Sequence, residues 1–286
     1  MPSRFQDAAE APRGQWLGLA RQFAGLFLLA IVWGGAARLA FAQVTGTATN
    51  PYYTVQSVVN GATQTQEALA PNVIATIYGT NLAQSTHAVG PADIVGGKLP
   101  INLDGVGVWM NGTACSLFMI SPTQINFLVP YDLTAGTVPL LVFRNGLTGP
   151  TINIPLNSVS PGLFVWNGSY AVAAHLSGQI ISSTAPALAG EIIVIYAAGL
   201  GKTAPATSSG QLATTASPII NFAQLQILLE GSPTPAGSIL YAGLAPGYAG
   251  LYQINLRLPQ ALPSNPHIQL SLTGQTSPGS ILLYTH

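Results

Sequence analysis

Apolar residues alternate with polar or small residues along several short segments of this chain. Val106, Val108 and Met110 follow this period of two, and Ile125 and Phe127 repeat it in the next apolar segment. Such alternation is typical of a β-strand that buries one face. No segment after residue 42 sustains a helical period, so the pattern predicts an all-β protein.

The chain also repeats itself. Three pairs of segments match in the same order: IYGTNLA at 77–83 with IYAAGLG at 195–201, VGVWMNG at 106–112 with LQILLEG at 225–231, and QINFLVP at 124–130 with QINLRLP at 253–259. Three collinear matches indicate a duplicated unit. The second copy needs an insertion, which falls in a segment rich in Gly, Pro and Tyr and predicts a longer loop.

Turn signals complete the prediction of the fold. Asn-Gly pairs and 22 prolines separate the short strands at the spacing expected of β-sandwiches. We therefore predict two antiparallel β-sandwich domains at 57–157 and 158–286, preceded by a linker or leading strand at 43–56. The junction between them is short and apolar, so we expect the two units to pack together.

The N-terminus has the features of a secretory signal peptide. Three arginines precede an uncharged run at 22–37, whose 16 residues fall short of the ~20 that span a bilayer. Ala40-Phe41-Ala42 then matches a cleavage site. We predict a signal peptide at 1–42, a secreted protein (extracellular, cell surface or periplasm) and no membrane span after cleavage. An uncleaved membrane anchor is the alternative.

Charged residues are scarce. Lys, Arg, Asp and Glu make up 6% of the chain, against about 25% in a typical soluble domain. After residue 42, four basic side chains face six acidic ones, a net charge of −2. No positive field is present to attract a phosphate backbone, so nucleic acid is not an expected partner. The single Cys115 cannot form an internal disulfide, and its apolar surroundings predict a buried, inert thiol.

Several segments resemble a known family. VSPGLF, AAHLSGQIIS, IVIYAAGLGKTAP and GYAGLYQINLRLP are similar to the Solibacter uncharacterised C-terminal domain family of secreted acidobacterial proteins. VVNGATQ…ALAPNVIATIYGTNLA resembles the opening of an immunoglobulin-like, TIG-type domain. The resemblance covers about 57–284 and implies tandem immunoglobulin-like (TIG-like) β-sandwiches, but no activity. Asn72 stands where the family commonly has Gly, and Asn tolerates the left-handed conformation that a turn there requires.

The residues that could carry out catalysis form no recognisable motif. The histidines and acids match no H-E-x-x-H, C-x-x-C, G-x-S-x-G or P-loop pattern. We therefore expect no catalytic residue, metal site or cofactor. His175 is interpreted as a strand histidine hydrogen-bonded to a neighbour. A hydrolase with an unrecognised site would need His175, or a pair of acids, to converge in one pocket.

Aromatic residues supply the candidate binding site. Alternation places Trp109 on the polar face of its strand, where it can stack on a sugar, anchor another protein, or be covered by a loop or the other domain. Covering is the favoured outcome. Tyr241, Tyr248 and Tyr252 cluster around the insertion of the second copy. An exposed row of these rings would favour glycan binding, whereas local packing is the other interpretation.

Repeated amides need a separate explanation. Gln124 and Asn126 recur as Gln253 and Asn255, whereas Leu128 is replaced by Arg257. We expect the four amides to point outward and to act as structural pins that bond the backbone of an adjacent loop; ligand binding is the alternative.

Three functions remain open. The leading hypothesis is an exported, non-catalytic module for adhesion, surface assembly or protein–protein contact, whose partner is an unknown extracellular protein or polysaccharide. A carbohydrate-binding module that uses exposed aromatic residues is the first alternative, and a hydrolase is the second.

Overall fold

The computed structural model describes residues 49–286. The predicted signal peptide at 1–42 and residues 43–48 of the predicted leading segment lie outside these residues. Within 49–286 the secondary structure consists of β-strands and three short 3-10 helices, Val55–Ser57, Pro91–Asp93 and Phe222–Gln224. None of the helices in this range is long and apolar enough to cross a membrane. The prediction of an all-β, antiparallel fold is confirmed.

The first half of the described chain contains strands β1 to β10. In order they are Val58–Asn60, Ile74–Tyr78, His87–Ala88, Val106–Met110, Thr113–Ala114, Ser116–Ile120, Gln124–Leu128, Gly136–Arg144, Leu147–Thr148 and Ile152–Leu156. One sheet has the order β1-β2-β7-β6-β3, and the other has the order β10-β8-β4-β5 with β9 beside β8. Their inward side chains form one hydrophobic cluster, so the two sheets make a sandwich.

The second half contains strands β11 to β22. In order they are Gly162–Leu163, Val165–Trp166, Tyr170–Ala171, Ala173–His175, Ile192–Ala198, Ser217–Pro218, Gln226–Leu229, Ser232–Pro233, Ile239–Leu244, Tyr252–Arg257, Ile268–Leu272 and Gln275–Thr276. One sheet has the order β11-β15-β20-β19-β16 with β14 beside β15, and the other has the order β18-β17-β21-β22. Strands β12 and β13 pair separately.

Most strands of the two halves correspond; β10 and β14 are without counterparts in the matching orders. The order β1-β2-β7-β6-β3 matches β11-β15-β20-β19-β16, and β5-β4-β8-β9 matches β18-β17-β21-β22. Even an irregularity recurs: β6 bulges at Phe118 opposite Asn126, and β19 bulges at Leu240 opposite Asn255. Shared topology and a shared bulge agree with the repeat seen in the sequence.

Hairpin turns recur as well, but with different residues. Asn111-Gly112 and Asn145-Gly146 have positive φ at both positions, as a type I′ turn requires. Their counterparts Glu230-Gly231 and Thr273-Gly274 adopt the same conformation, with φ of 48° at Glu230 and 47° at Thr273. Asn72 has φ of 62°, as expected from its left-handed turn. The two halves therefore share the backbone conformation of these turns, although the second half lacks the Asn that favours it.

The two halves are packed tightly together. Phe164, Val194, Tyr196 and Ala198 of the second half belong to the same cluster of buried side chains as the first half's core. At Gly250, an added Cβ would lie only 2.2 Å from Leu128 Cδ1, so this glycine permits the close approach of the two halves.

A loop of the second half also pairs with the first. The Leu99 amide donates to the Gly210 carbonyl (3.0 Å), and the Leu212 amide donates to the Gly97 carbonyl (2.9 Å). The Tyr131 hydroxyl donates to the Thr203 carbonyl and accepts from the Thr203 amide, at 3.0 and 3.1 Å. The expected packing of the two units is present. The boundary near residue 157, and the status of the halves as separate domains, stay predictions.

Candidate binding surface

The outward face of strands β4 and β8 carries large apolar side chains. Trp109 on β4 lies opposite Leu141 on β8, and Gly107 lies opposite Phe143. Val108, Met110 and Val142, the intervening residues, are fully buried in the core. We call the outward set Gly107, Trp109, Leu141 and Phe143 the Trp109 face.

Trp109 is exposed on this face. The residue is 44% exposed, whereas Leu141 and Phe143 are partly covered. The prediction that Trp109 points away from its own core is confirmed, and the expectation that a loop or the other half covers it is wrong. The outward positions of β8 and β10 add Thr137, Pro139, Asn153 and Pro155, so the face is uncharged on the side toward β10.

The equivalent face in the second half has a different composition. Leu228 lies opposite Gln269, and Gln226 lies opposite Ser271, in the register that Trp109–Leu141 and Gly107–Phe143 occupy in the first half. The side-chain amide of Gln269 donates through Nε2 to the Ser277 carbonyl at 2.6 Å. Because the same backbone is built here with amides and a hydroxyl, the fold does not require the aromatic residues of the Trp109 face.

The three candidate tyrosines do not form an exposed row, so local packing, the other interpretation, holds and their assignment as binding residues is corrected. Tyr252 is fully buried; its hydroxyl accepts from Asn72 Nδ2 and donates to the Gly201 carbonyl. Tyr241 is partly buried and its hydroxyl donates to the Leu244 carbonyl (3.1 Å), while Tyr248 packs against the core. Burial raises the pKa of Tyr241 to about 12 and raises that of Tyr252 further. These rings serve the interior, so Tyr252 cannot bind a ligand.

The four repeated amides are also not on a solvent-exposed face. Gln124, Asn126, Gln253 and Asn255 are all at most 8% exposed. Gln124 Nε2 donates to Asn126 Oδ1 at 2.9 Å, and Gln253 Nε2 donates to Asn255 Oδ1 at 3.2 Å. The hydrogen bonds of Asn126, Gln253 and Asn255 thus join side chains within a sheet. The prediction that these three amides bond the backbone of a loop is therefore wrong.

The first pair is buried for a reason that alternation cannot reveal. The face of β2 and β7 that carries Asn126 also carries Ile74 and Leu128, and the segment around Gly250 covers these two residues. Thr76 donates to Asn126 Oδ1 at 3.0 Å across the strands. Asn126 Nδ2 lacks a hydrogen-bond partner within the described chain. The bonds among these buried side chains therefore satisfy Asn126 Oδ1 but leave its Nδ2 without a partner in the described chain.

Histidines pair with carboxylates. His87 lies between Asp93 (Nε2–Oδ2, 3.2 Å) and Asp104 (Nδ1–Oδ2, 3.0 Å). Hydrogen bonds to these two carboxylates, first Asp104 and then Asp93, raise the pKa of His87. His267 lies 3.2 Å from Glu230. The partners are 6 to 37 residues apart in the sequence and match no short motif.

His175 makes contacts through both ring nitrogens. Nδ1 lies 2.5 Å from Glu191 Oε1, and Nε2 lies 3.2 Å from the Ala185 carbonyl oxygen. The interpretation of His175 as a hydrogen-bonded strand histidine is therefore confirmed. Among the described residues, no three His, Cys, Asp or Glu side chains are arranged to hold a metal ion. Cys115 is fully buried, as predicted, and burial raises the pKa of its thiol.

Comparison with known proteins gives only distant resemblances. No family model and no curated protein matches the chain, so the resemblance to the Solibacter family stays a prediction. Among solved structures, the surface glycan-binding protein PbSGBP-B from Prevotella bryantii is 14% identical, with a TM-score of 0.26 over 84% of this chain and 43% of that one. A Bacteroides ovatus SGBP-B, solved with a mixed-linkage heptasaccharide, is 10% identical (TM-score 0.28; 76% and 43%). The plexin A4 extracellular region is 12% identical (TM-score 0.26; 89% and 17%). The chain spans less than half the length of these three, and no function follows from likeness at this level.

Proposed function

We propose that this protein is an exported, non-catalytic binding module that holds another extracellular protein on the Trp109 face, for adhesion or surface assembly. One observation carries the proposal: the Trp109 face presents an exposed indole between Leu141 and Phe143, whereas the equivalent face of the second half presents none. An exposed Trp flanked by aliphatic and aromatic carbon is the side-chain type most enriched at the centre of protein interfaces.

Export is part of the proposal and is supported by the sequence. The signal-like segment at 1–42 provides the route, and the low charge gives a surface that depends little on salt. The uncharged side of the Trp109 face toward β10 also favours a neutral partner surface there, because these residues offer no charge to orient a charged one.

Site-specific photo-crosslinking tests the proposal. A photoreactive residue is placed at Leu141, beside Trp109, and separately at Gln269, its counterpart, in the full-length protein exposed to native cell envelope. We expect a discrete protein adduct from position 141 and none from position 269. Trp109→Ala should reduce the adduct at 141 at least about tenfold, as truncation of a central interface Trp commonly does.

Leu228→Ala is the matched control, since it truncates the residue equivalent to Trp109. Equal loss from Leu228→Ala and Trp109→Ala would show a general effect on folding and would count against the proposal. Absence of any adduct from position 141 would also reject it.

A glycan is the second candidate ligand, favoured by the same exposed indole, which can stack on a sugar ring. The positions of the tyrosines weaken it, because Tyr241, Tyr248 and Tyr252 pack in the second half and do not extend the Trp109 face. Titration of the full-length protein with cell-wall and plant polysaccharides separates the two: binding that Trp109→Ala abolishes would favour the glycan, and no binding would eliminate it.

A further inference from the structure

A second surface lies on the other half of the molecule and plays no part in the function proposed above. It is a shallow, open cleft with a volume of about 500 Å³, lined by Arg257, Gln179, Ser177, Leu176 and the His175–Glu191 pair. Small-molecule sites have volumes of roughly 300–1,000 Å³. We call it the Arg257 cleft.

Arg257 occupies a position where the two copies of the repeat diverge. It is the counterpart of Leu128, which is buried against the segment around Gly250. Arg257 lies at the end of β20 opposite Ile192, and it is exposed. Within residues 49–286 no carboxylate lies within ion-pairing distance of its guanidinium. The cleft thus presents an unpaired cation in a chain that has few charges.

The one carboxylate that lines the cleft is engaged by groups other than Arg257. Glu191 Oε1 lies 2.5 Å from His175 Nδ1, and Glu191 Oε2 accepts from the Leu188 amide at 2.9 Å. The other ring nitrogen of His175, Nε2, lies 3.2 Å from the Ala185 carbonyl oxygen. The Arg257 guanidinium is therefore available to a carboxylate of a ligand.

The remaining groups suit a hydroxylated ligand. A guanidinium offers two parallel N–H donors that match a carboxylate. The Gln179 amide and Ser177 hydroxyl are exposed and can bond hydroxyl groups, while Leu176, 47% exposed, offers an apolar surface for a sugar ring. We propose that the Arg257 cleft binds a uronic acid, with its carboxylate on Arg257, either free or as a unit of an acidic polysaccharide.

Calorimetric titration of the full-length protein tests this proposal with galacturonate, a galacturonate trimer and galactose. We expect both carboxylated probes to bind and galactose to bind at least about tenfold more weakly, because it lacks the group that Arg257 recognises. Tighter binding of the trimer would identify the polysaccharide as the source, and equal binding would identify the free sugar acid.

Arg257→Gln should weaken galacturonate binding at least about tenfold. The affinity of Arg257→Lys should lie between those of the natural protein and Arg257→Gln, because lysine keeps the charge but lacks the two parallel N–H donors. Lys98→Gln, which removes another exposed cation, and Trp109→Ala should leave binding unchanged. Equal affinity for galactose and galacturonate, no binding of either acid, or equal loss from Lys98→Gln and Arg257→Gln would overturn the proposal. Because Arg257 is exposed, these variants should fold, which circular dichroism checks.

Discussion

The Trp109 face and its counterpart around Leu228 are built on one backbone plan with opposite surface chemistry. Trp109 lies on β4, which pairs with β8, and Leu228 lies on β17, which pairs with β21 in the equivalent register. Both β4 and β17 end in a turn with positive φ. The first carries Trp, Leu and Phe outward, whereas the second carries Leu, Gln and Ser. Since the backbone places the same demands on both, it does not by itself account for the difference.

The opposite contrast holds on the other sheet of each half. There the first copy buries Leu128 under the second half, while the second copy exposes Arg257. The two copies therefore diverge at the end of this sheet, since Val194, Tyr196, Gln253 and Asn255 on the face that ends at Arg257 are buried. Comparison of equivalent positions gives experiments with internal controls.

Exchange of the residues at the diverged position should give the largest effect. Leu128→Arg places an unpaired charge in the contact between the halves, and we expect it to lower the free energy of unfolding by about 4 kcal/mol. Arg257→Leu, at the exposed counterpart, should change stability by no more than about 0.5 kcal/mol. Urea denaturation measures both.

Leu128→Ala provides a milder version should the arginine variant fail to fold, with an expected loss of about 3 kcal/mol. If Leu128→Arg and Arg257→Leu had equal effects, the contact between the halves would not be what distinguishes the two positions.

Exchange of turn residues should give an intermediate effect of opposite sign in the two halves. Thr273 holds φ of 47°, which is unfavourable for a β-branched residue, whereas Asn145 accepts the same conformation readily. Thr273→Asn should stabilise the protein by about 1 kcal/mol, raising Tm by about 2–4 °C, and Asn145→Thr should destabilise it similarly. Thermal unfolding of both variants is the measurement; a destabilised Thr273→Asn would contradict it.

The smallest expected effect is a pH dependence at His87, a position without a histidine in the second half, where the strand equivalent to β3 is Ser217–Pro218. The pKa of His87 is raised from 6.5, so its contribution to stability is complete below about pH 6.5 and is lost as pH rises through the higher folded value. The pKa of Asp93 is lowered from 3.8, chiefly by the Gly90 amide, so its contribution is lost as pH falls through the lower folded value.

The stability difference between the natural protein and His87→Gln should therefore be largest near about pH 5 and shrink toward pH 8. Urea denaturation at a series of pH values measures it. Since His87 is partly exposed, the difference should be small and reduced by salt. A difference that grew from pH 5 to pH 8 would show that the two carboxylates do not stabilise the protonated ring.

Alternation along the chain was sufficient to predict the strands and the direction of Trp109, because a strand's own side chains determine which face is apolar. It could not predict what covers the other face. Gln124 and Asn126 are polar by pattern, yet they are buried, and Leu128 on the same face lies against Gly250, more than 100 residues away. Tyr252 and the pairs His87–Asp104 and His175–Glu191 likewise depend on contacts distant in sequence, for which the pattern holds no signal.

The shared core has a consequence for any ligand. Because side chains of both halves occupy one cluster, and because 97–99 pairs with 210–212, neither half can unfold while the other keeps its full set of contacts. A ligand that binds only the folded form stabilises that form by mass action. A ligand bound at the Trp109 face would therefore also stabilise the second half, which it does not contact. A ligand bound in the Arg257 cleft would likewise stabilise the first half.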